Sequence, residues 1–220
     1  MSGSGTGGGD APAPLRDISV RLRPGTPEWP GDTPYECRWT ARRSGGSSVN
    51  LSTLSGSPHV GTHADAPLHV ADDGAGSEAL PLHAFVGPCH VADVRGHEGP
   101  LALGALALPP SGAIPRLLLR TGRSIAAGTF PAAWPALAPA TVTALLARGL
   151  LLLGVDCPSV DARESTALAV HHALFAGGAF VLENLDLDDV APGPYELVAL
   201  PLRVEGLDAA PVRAALRPRA

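Results

Sequence analysis

Three histidines and one aspartate fall within a stretch of eleven residues in the first third of the chain. The segment reads S-P-H-V-G-T-H-A-D-A-P-L-H and contains His59, His63, Asp65 and His69. One turn of helix would place His59 and His63 on the same face, and an extended step would place His63 and Asp65 on the same side. Neutral imidazoles together with a carboxylate suit zinc or a related divalent metal ion. The segment therefore predicts a site for one metal ion, with His69 as a fourth member whose role the spacing leaves open.

A second region of the chain offers further ligands, because one segment supplies only part of a coordination shell. The sequence A-V-H-H-A-L-F-A-G-G-A-F-V-L-E-N contains His171, His172 and Glu183. Adjacent residues on a helix point about 100° apart, so the two histidines do not readily bind one ion together. Glu183 ends an apolar strand, where a carboxylate is costly unless it is paired or bound to a metal. The pattern alone does not decide whether Glu183 is a metal ligand or a surface residue.

Apolar periodicity and turn residues predict short strands interleaved with two or three helices. The predicted strands are 17–22, 37–43, 47–54, 88–94, 116–120, 150–155, 180–183 and 195–204, with 37–43 and 47–54 paired around Ser44-Gly45-Gly46. Helices are predicted at 138–148 and at 165–176, the second with Ser165 as its N-cap. The order of elements indicates one α/β domain with a mixed sheet over residues 15–220. The Gly/Ser-rich segment 1–14 is predicted to be a disordered tail.

The composition excludes several classes of function. A net charge of −5 provides no basic surface, so we expect no nucleic-acid partner. All sixteen basic residues are arginine, which excludes a Schiff-base lysine. The apolar runs Leu101–Leu108 and Leu150–Leu153 are too short to span a membrane, and the N-terminus lacks the pattern of a secretory signal. Three widely spaced cysteines predict reduced, buried thiols in a cytoplasmic protein.

Two alternatives to a metal-dependent hydrolase follow from the residues. A serine hydrolase is disfavoured because the chain has no G-x-S-x-G segment. A metal-stabilised binding protein without turnover would keep the metal ligands but would have no need of His69. The remaining isolated histidines are expected to be structural or exposed, namely His83, His90 and His97.

The histidine-rich segment resembles the H-x-G-T-H-x-D-x-P-x-H motif of the cyclase family of metal-dependent hydrolases. Further segments resemble the bacterial kynurenine formamidase (arylformamidase) branch of that family. They are D-I-S-V-R-L-R-P-G-T-P-E-W-P-G-D-T-P, G-V-D-C-P-S-V-D, V-L-E-N-L and G-P-Y-E-L-V-A-L-P-L-R. The resemblance extends over residues 16–217, and it implies a swivelling β/α/β-type domain and a homodimer.

The resemblance also implies two zinc ions in each chain. Carried over position by position, it assigns His59, His63 and Asp65 to the first ion. It assigns His171 to the second ion, with Asp65 and Glu183 contacting both. His172 is left as a neighbour of the site.

The activity that the resemblance implies is hydrolysis of N-formyl-L-kynurenine to L-kynurenine and formate, a step of tryptophan degradation. Zinc-activated water would attack the formyl carbon, and His69 would be the general acid and base. Trp29, between Pro27 and Pro30, would line the substrate pocket. An isatin-hydrolase-like enzyme would share the metal ligands and differ in the pocket around Trp29.

Overall fold

Thirteen β-strands and two α-helices account for the regular structure of residues 13–219, the part of the chain that the computed structural model describes. In chain order the strands are β1 (Arg16–Asp17), β2 (Glu36–Ala41), β3 (Leu51–Ser55), β4 (His63–Asp65), β5 (Val86–Asp93), β6 (Pro100–Leu101), β7 (Arg116–Arg120), β8 (Ala136–Leu137), β9 (Leu152–Val155), β10 (Phe180–Glu183), β11 (Gly193–Val198), β12 (Ala209–Pro211) and β13 (Ala215–Pro218). The α-helices are α1 (Pro139–Ala147) and α2 (Ala169–Ala176). Short 3-10 helices lie at Arg43–Gly45, Pro67–His69, Ser77–Ala79, Leu82–Ala84, Leu103–Leu106 and Ile125–Ala127. Of the predicted tail, only residues 13 and 14 lie within the described part of the chain.

Nine of these strands form a single mixed sheet in the order β1-β13-β11-β5-β7-β9-β10-β4-β12. The central strands β5, β7, β9 and β10 are parallel to one another, and the strands on either side pair antiparallel. Parallel neighbours need a crossover connection, and α1 and α2 lie in the connections that lead into β9 and β10. The architecture is the predicted α/β domain with a mixed sheet.

The two faces of the sheet bury separate apolar cores. Successive side chains of a strand point to opposite faces, so Leu117 packs with the two α-helices while Leu118 packs on the other side. The second core contains Ala64 of β4 and Leu216 of β13, strands near opposite ends of the sheet order. The sheet therefore curls around this core, and the helices cover its outer face.

Helix α2 begins later than predicted, and Ser165 is not its N-cap. The N-cap position is Leu168, which has a left-handed backbone with φ of +43°. The Ser165 hydroxyl instead accepts a hydrogen bond from the backbone N–H of Leu168, at 3.2 Å. Asp161 caps the helix from the preceding loop, because its carboxylate accepts the N–H groups of Val170 and His171 at 3.0 and 3.1 Å. A capping residue eight positions before the helix is outside the local pattern that predicts N-caps.

Both ends of the chain differ from the prediction. The strand predicted at 17–22 is reduced to β1, because the chain then leaves the ladder and the N–H of Val20 donates to the Thr62 hydroxyl at 2.8 Å. The strand predicted at 195–204 ends at Val198. Pro201 follows, and proline has no N–H to continue a ladder. The returning chain adds β12 and β13, which the sequence did not predict.

Two further expectations concern membranes and cysteines. Within residues 13–219, no helix combines the length and the apolar character needed to cross a membrane. Cys89 and Cys157 are buried as predicted, but Cys37 is exposed. Cys37 lies on β2, which pairs only with β3 in a hairpin whose side chains are almost all exposed.

Candidate metal centre and cavity

Strand pairing brings three of the predicted ligands together. His63 and Asp65 lie on β4 with Ala64 between them, so their side chains point to one face while Ala64 packs into the apolar core behind. Glu183, the last residue of β10, is the register partner of His63. All three ionisable side chains are buried. The extended arrangement of His63 and Asp65 that the sequence allowed is the one that forms.

His59 and His171 reach the same point from a turn and from a helix. His59 precedes β4, and its carbonyl oxygen accepts a hydrogen bond from the side-chain amide of Asn184 at 3.4 Å. His171 lies in the first turn of α2, and its Nδ1 is 2.7 Å from Asp161 Oδ2. That contact leaves the Nε2 atom of His171 facing the cluster.

Asp65 lies at the centre of the cluster, with each carboxylate oxygen facing a different set of histidines. Oδ1 is 3.2 Å from His59 Nδ1 and 3.3 Å from His63 Nε2. Oδ2 is 3.2 Å from His171 Nε2. Glu183 also spans the two sets, because its oxygens lie 3.6 Å from His63 Nε2 and 3.5 Å from His171 Nε2. Both carboxylates are thus placed to contact two positive centres at once.

The donor atoms of this cluster fit a divalent metal ion. His63 Nδ1 donates to the carbonyl of Gly61 at 2.9 Å, so Nε2 is the ring nitrogen that would bind a metal ion once its proton is displaced. His63 Nε2 and Asp65 Oδ1 are both buried and have no hydrogen-bond partner among the described residues. Buried polar atoms are rarely left without a partner, and here both face the same point. One donor atom from each of His59, His63 and Asp65 lies within 4.8 Å of the others.

His69 lies at the edge of the cluster, and the geometry allows it two roles. One donor atom from each of Asp65, His69 and His171 lies within 4.8 Å of the others, so His69 could contribute to a metal site. Its Nδ1, however, is 3.0 Å from Asp208 Oδ2, and its side chain is 29% exposed. A partly exposed imidazole held through Nδ1 has its Nε2 free to exchange protons with a ligand.

The cluster opens onto a cavity of about 310 Å³ with an apolar wall. Trp29, 41% exposed, lies in this wall, with its ring centroid 5.5 Å from that of Phe130 and 6.0 Å from that of Trp134. Both pairs are edge-to-face, the arrangement that aromatic rings favour. Pro27, Pro158 and Leu168 complete the apolar lining. A cavity of this size admits a small aromatic molecule.

A larger groove of about 640 Å³ runs along the N-terminal loop and is lined in part by Arg21, Arg23 and Arg213. None of the predicted metal ligands lines it. Size alone does not make it the active site. We assign the chemistry to the smaller cavity because the buried ligand cluster opens there.

Residues 16–162 match the model of the Cyclase family, which is more than half of the 220 residues. The chain belongs to the Cyclase family. A structure described as a potential metal-dependent hydrolase with cyclase activity is 27% identical, with a TM-score of 0.79, over 94% of this chain and 98% of that one. A predicted metal-dependent hydrolase from Bacillus stearothermophilus is also 27% identical, with a TM-score of 0.79, over 95% of this chain and all of that one. Isatin hydrolase A from Ralstonia solanacearum has the same fold, with 23% identity and a TM-score of 0.78 over 93% of this chain and 92% of that one.

These similarities and the buried donor cluster identify a metal-dependent hydrolase fold with a candidate metal centre. The sequence prediction of a single α/β domain with a mixed sheet is confirmed by the same structures. Four other histidines lie outside the cluster: His83, His97 and His172 are exposed and His90 is half-buried.

Two residues of this Cyclase-family site were missed at the sequence level. Asp161 holds His171 and caps α2, and Asp208 lies between His59 Nε2 and His69 Nδ1 at 2.9 and 3.0 Å. Asp161 stands at the end of the G-V-D-C-P-S-V-D segment, which was a usable signal. No sequence signal pointed to Asp208. It directly precedes the unpredicted strand β12, and the pairing of β12 with β4 brings it to the site.

Neighbouring carboxylates raise the pKa of three histidines of the cluster, His59, His63 and His171. Burial by itself lowers the pKa of His59, but the nearby carboxylates of Asp208 and Asp65 outweigh it and raise that pKa to about 9. Burial is likewise outweighed at His63, where Asp65 raises the pKa to about 10. At His171, Asp161 and Asp65 overcome burial and raise the pKa to about 12. The pKa of Asp65 stays well below its usual range despite its burial, because the histidines stabilise its charge.

These raised pKa values predict that metal affinity increases with pH. A metal ion must displace the protons from His59 and His63, which stay protonated below about pH 9 and pH 10. Each proton displaced makes the apparent Kd for a divalent metal ion about tenfold weaker for each pH unit below the histidine pKa. Competition with a chelating dye between pH 6 and pH 9 measures this slope. An affinity that does not change with pH over this range would contradict the prediction.

Proposed function

We propose that this protein is a kynurenine formamidase that hydrolyses N-formyl-L-kynurenine to L-kynurenine and formate. The observation that carries the proposal is that a buried His/Asp/Glu cluster opens onto a cavity walled by Trp29 and Phe130. An aryl formamide has both of the parts this site would receive, an amide to be hydrolysed and an aromatic ring. The sequence resemblance to the kynurenine formamidase branch supports the same substrate.

We assign the metal ligands to two sets, according to which carboxylate oxygen of Asp65 each histidine faces. His59, His63 and Asp65 would hold one zinc ion, and His171 would hold a second, with Asp65 and Glu183 contacting both. A divalent ion held there supplies water of lowered pKa and polarises the formyl oxygen. Asp161, 2.7 Å from His171 Nδ1, fixes the orientation of that ring.

His69 is the proposed general acid and base. Its Nδ1 is held by Asp208, so its Nε2 takes a proton from the attacking water and delivers it to the anilide nitrogen. In this step a C–O bond forms at the formyl carbon while the C–N bond breaks. The nitrogen leaves as a neutral aniline because it receives that proton.

The second candidate is an isatin-hydrolase-like activity, which opens a cyclic aryl amide. The structural similarity to isatin hydrolase A favours this candidate, although at 23% identity that similarity is evidence for a shared fold alone. Isatin also presents an aromatic ring next to an amide carbonyl. The two substrates differ mainly outside the reacting amide, because N-formyl-L-kynurenine carries an amino-acid side chain and isatin carries none.

Metal content and formate release together test the proposal. We expect purified protein to contain up to two equivalents of zinc per chain and to release one formate for each N-formyl-L-kynurenine consumed. Chelation should abolish the activity, and added zinc should restore it. Steady-state rates on isatin, measured with the same preparation, give the comparison. Hydrolysis of isatin without hydrolysis of N-formyl-L-kynurenine would reject the formamidase in favour of the second candidate.

The proposal also includes a homodimer in the cytoplasm. The sequence resemblance supports the dimer, and three free cysteines agree with a reducing compartment. Light scattering of the purified protein gives the mass that tests the dimer.

A further inference from the structure

The cavity contains one carboxylate that the proposed metal centre does not use. Asp32 lines the cavity together with Trp29 and the cluster histidines. The other carboxylate in the lining is Glu183, which faces His63 and His171. Asp32 is therefore a separate charged feature of this cavity.

A tight turn holds the Asp32 carboxylate in place. The backbone N–H of Asp32 donates to the carbonyl of Trp29 at 2.9 Å, and Asp32 Oδ1 accepts the N–H of Thr33 at 2.6 Å. The turn thus fixes the aromatic wall and the carboxylate relative to each other. Among residues 13–219, no basic side chain forms an ion pair with Asp32. Its second oxygen accepts no hydrogen bond from the described residues.

The surroundings of Asp32 favour a cation. Trp29, Phe130, Pro158 and Leu168 give the cavity a mainly apolar lining, so a carboxylate there loses part of its hydration when a ligand enters. An ammonium group offsets that loss best, because it adds a full positive charge to the hydrogen bond that a neutral donor would make, and an anionic group would be repelled. A lone carboxylate next to an aromatic wall is also the arrangement that specificity for a cationic aromatic ligand requires.

We propose that Asp32 binds the ammonium group of the substrate and selects aryl amides that carry one. This inference rests on the proposed function, since N-formyl-L-kynurenine has an α-ammonium on the side chain of its ring. In this assignment the formamide lies at the histidine cluster, the ring lies against Trp29, and the ammonium meets Asp32. Isatin has no ammonium group, so the same contact separates the two candidate substrates.

A pair of substrates that differ only in the ammonium group tests the contact. 4-(2-Formamidophenyl)-4-oxobutanoate keeps the aryl formamide and the carboxylate of N-formyl-L-kynurenine and lacks its ammonium. For the wild-type protein, we expect kcat/KM to be at least about tenfold higher with the ammonium present, because hydrogen bonds between charged groups are worth that much or more. In Asp32→Asn, the ratio of the two kcat/KM values should fall towards one. Asparagine keeps the acceptor for the Thr33 N–H, so the turn is preserved.

Glu28→Gln is the matched control, because it removes one negative charge from the same loop at a residue that does not line the cavity. The ratio should stay at the wild-type value in this variant. Thermal unfolding and zinc content of all three proteins show whether Asp32→Asn is folded and loaded. If Asp32→Asn lowers both kcat/KM values in parallel, or if the wild type shows no preference for the ammonium, Asp32 does not bind it. If the wild type hydrolyses neither compound, the proposed function itself is wrong.

Discussion

Replacing Asp65 with asparagine is expected to remove most of the bound metal and to lower turnover by more than about 10²-fold. Asp65 is fully buried, and its two oxygens face His59 and His63 on one side and His171 on the other. Loss of a group that only orients a metal ligand costs about 10- to 100-fold in affinity or activity. Loss of a carboxylate that contacts both proposed ligand sets should cost more, because asparagine brings neither the negative charge nor a second oxygen.

Asp156→Asn is the matched control for this prediction. Asp156 is also fully buried, but its oxygens accept hydrogen bonds from the Thr121 N–H and hydroxyl and from the Gly122 N–H. We expect Asp156→Asn to destabilise folding by about 1–3 kcal/mol, the cost of disturbing a buried, hydrogen-bonded group, and to keep its metal. Metal analysis after gel filtration and thermal unfolding separate the two variants. Full metal content in Asp65→Asn would show that the ligand cluster is assigned wrongly.

Local sequence patterns correctly predicted two kinds of element. One kind is uniformly apolar, and the other is bounded by turn or cap residues that lie next to it in the sequence. The strands at 116–120 and 180–183 have the predicted bounds, because runs of large apolar residues buried on both faces define them without reference to partners. The hairpin of β2 and β3 follows from its turn. Helix α1 occupies nearly all of its predicted span, because Gly149 ends it locally.

Tertiary contacts decided the rest. The start of α2 depends on Asp161, and the position of Asp208 depends on β12 pairing with β4. The G-V-D-C-P-S-V-D segment, which ends at Asp161, signals the first contact, whereas no nearby residues signal the second. The same division holds for the candidate site. His63 and Asp65 are two residues apart, and a strand places them together. Glu183 joins them only through the pairing of β10 with β4, and His171 only through the position of α2.

Replacing His69 with alanine is expected to leave the metal in place and to lower kcat by about 10²- to 10⁴-fold, the usual worth of general acid–base catalysis. His69 and His59 are both paired with Asp208, but only the ring of His59 also faces Asp65, with its other nitrogen 3.2 Å from Oδ1. The side chain of His69 is 29% exposed, compared with 19% for His59, 1% for His63 and 2% for His171. Its exposed position at the edge of the cluster gives His69 access to water and substrate. A proton-transfer group needs that access, whereas a metal ligand does not.

His172→Ala is the control, since it removes an exposed histidine next to His171 and should change neither metal content nor kcat. Three outcomes for His69→Ala decide between the roles that the geometry allows. Retained metal with lost turnover identifies His69 as the proton-transfer group. Loss of about one metal equivalent identifies it as a ligand, in the set it can form with Asp65 and His171. Unchanged turnover would remove His69 from the mechanism, and it would leave the anilide nitrogen to obtain its proton from a group other than His69.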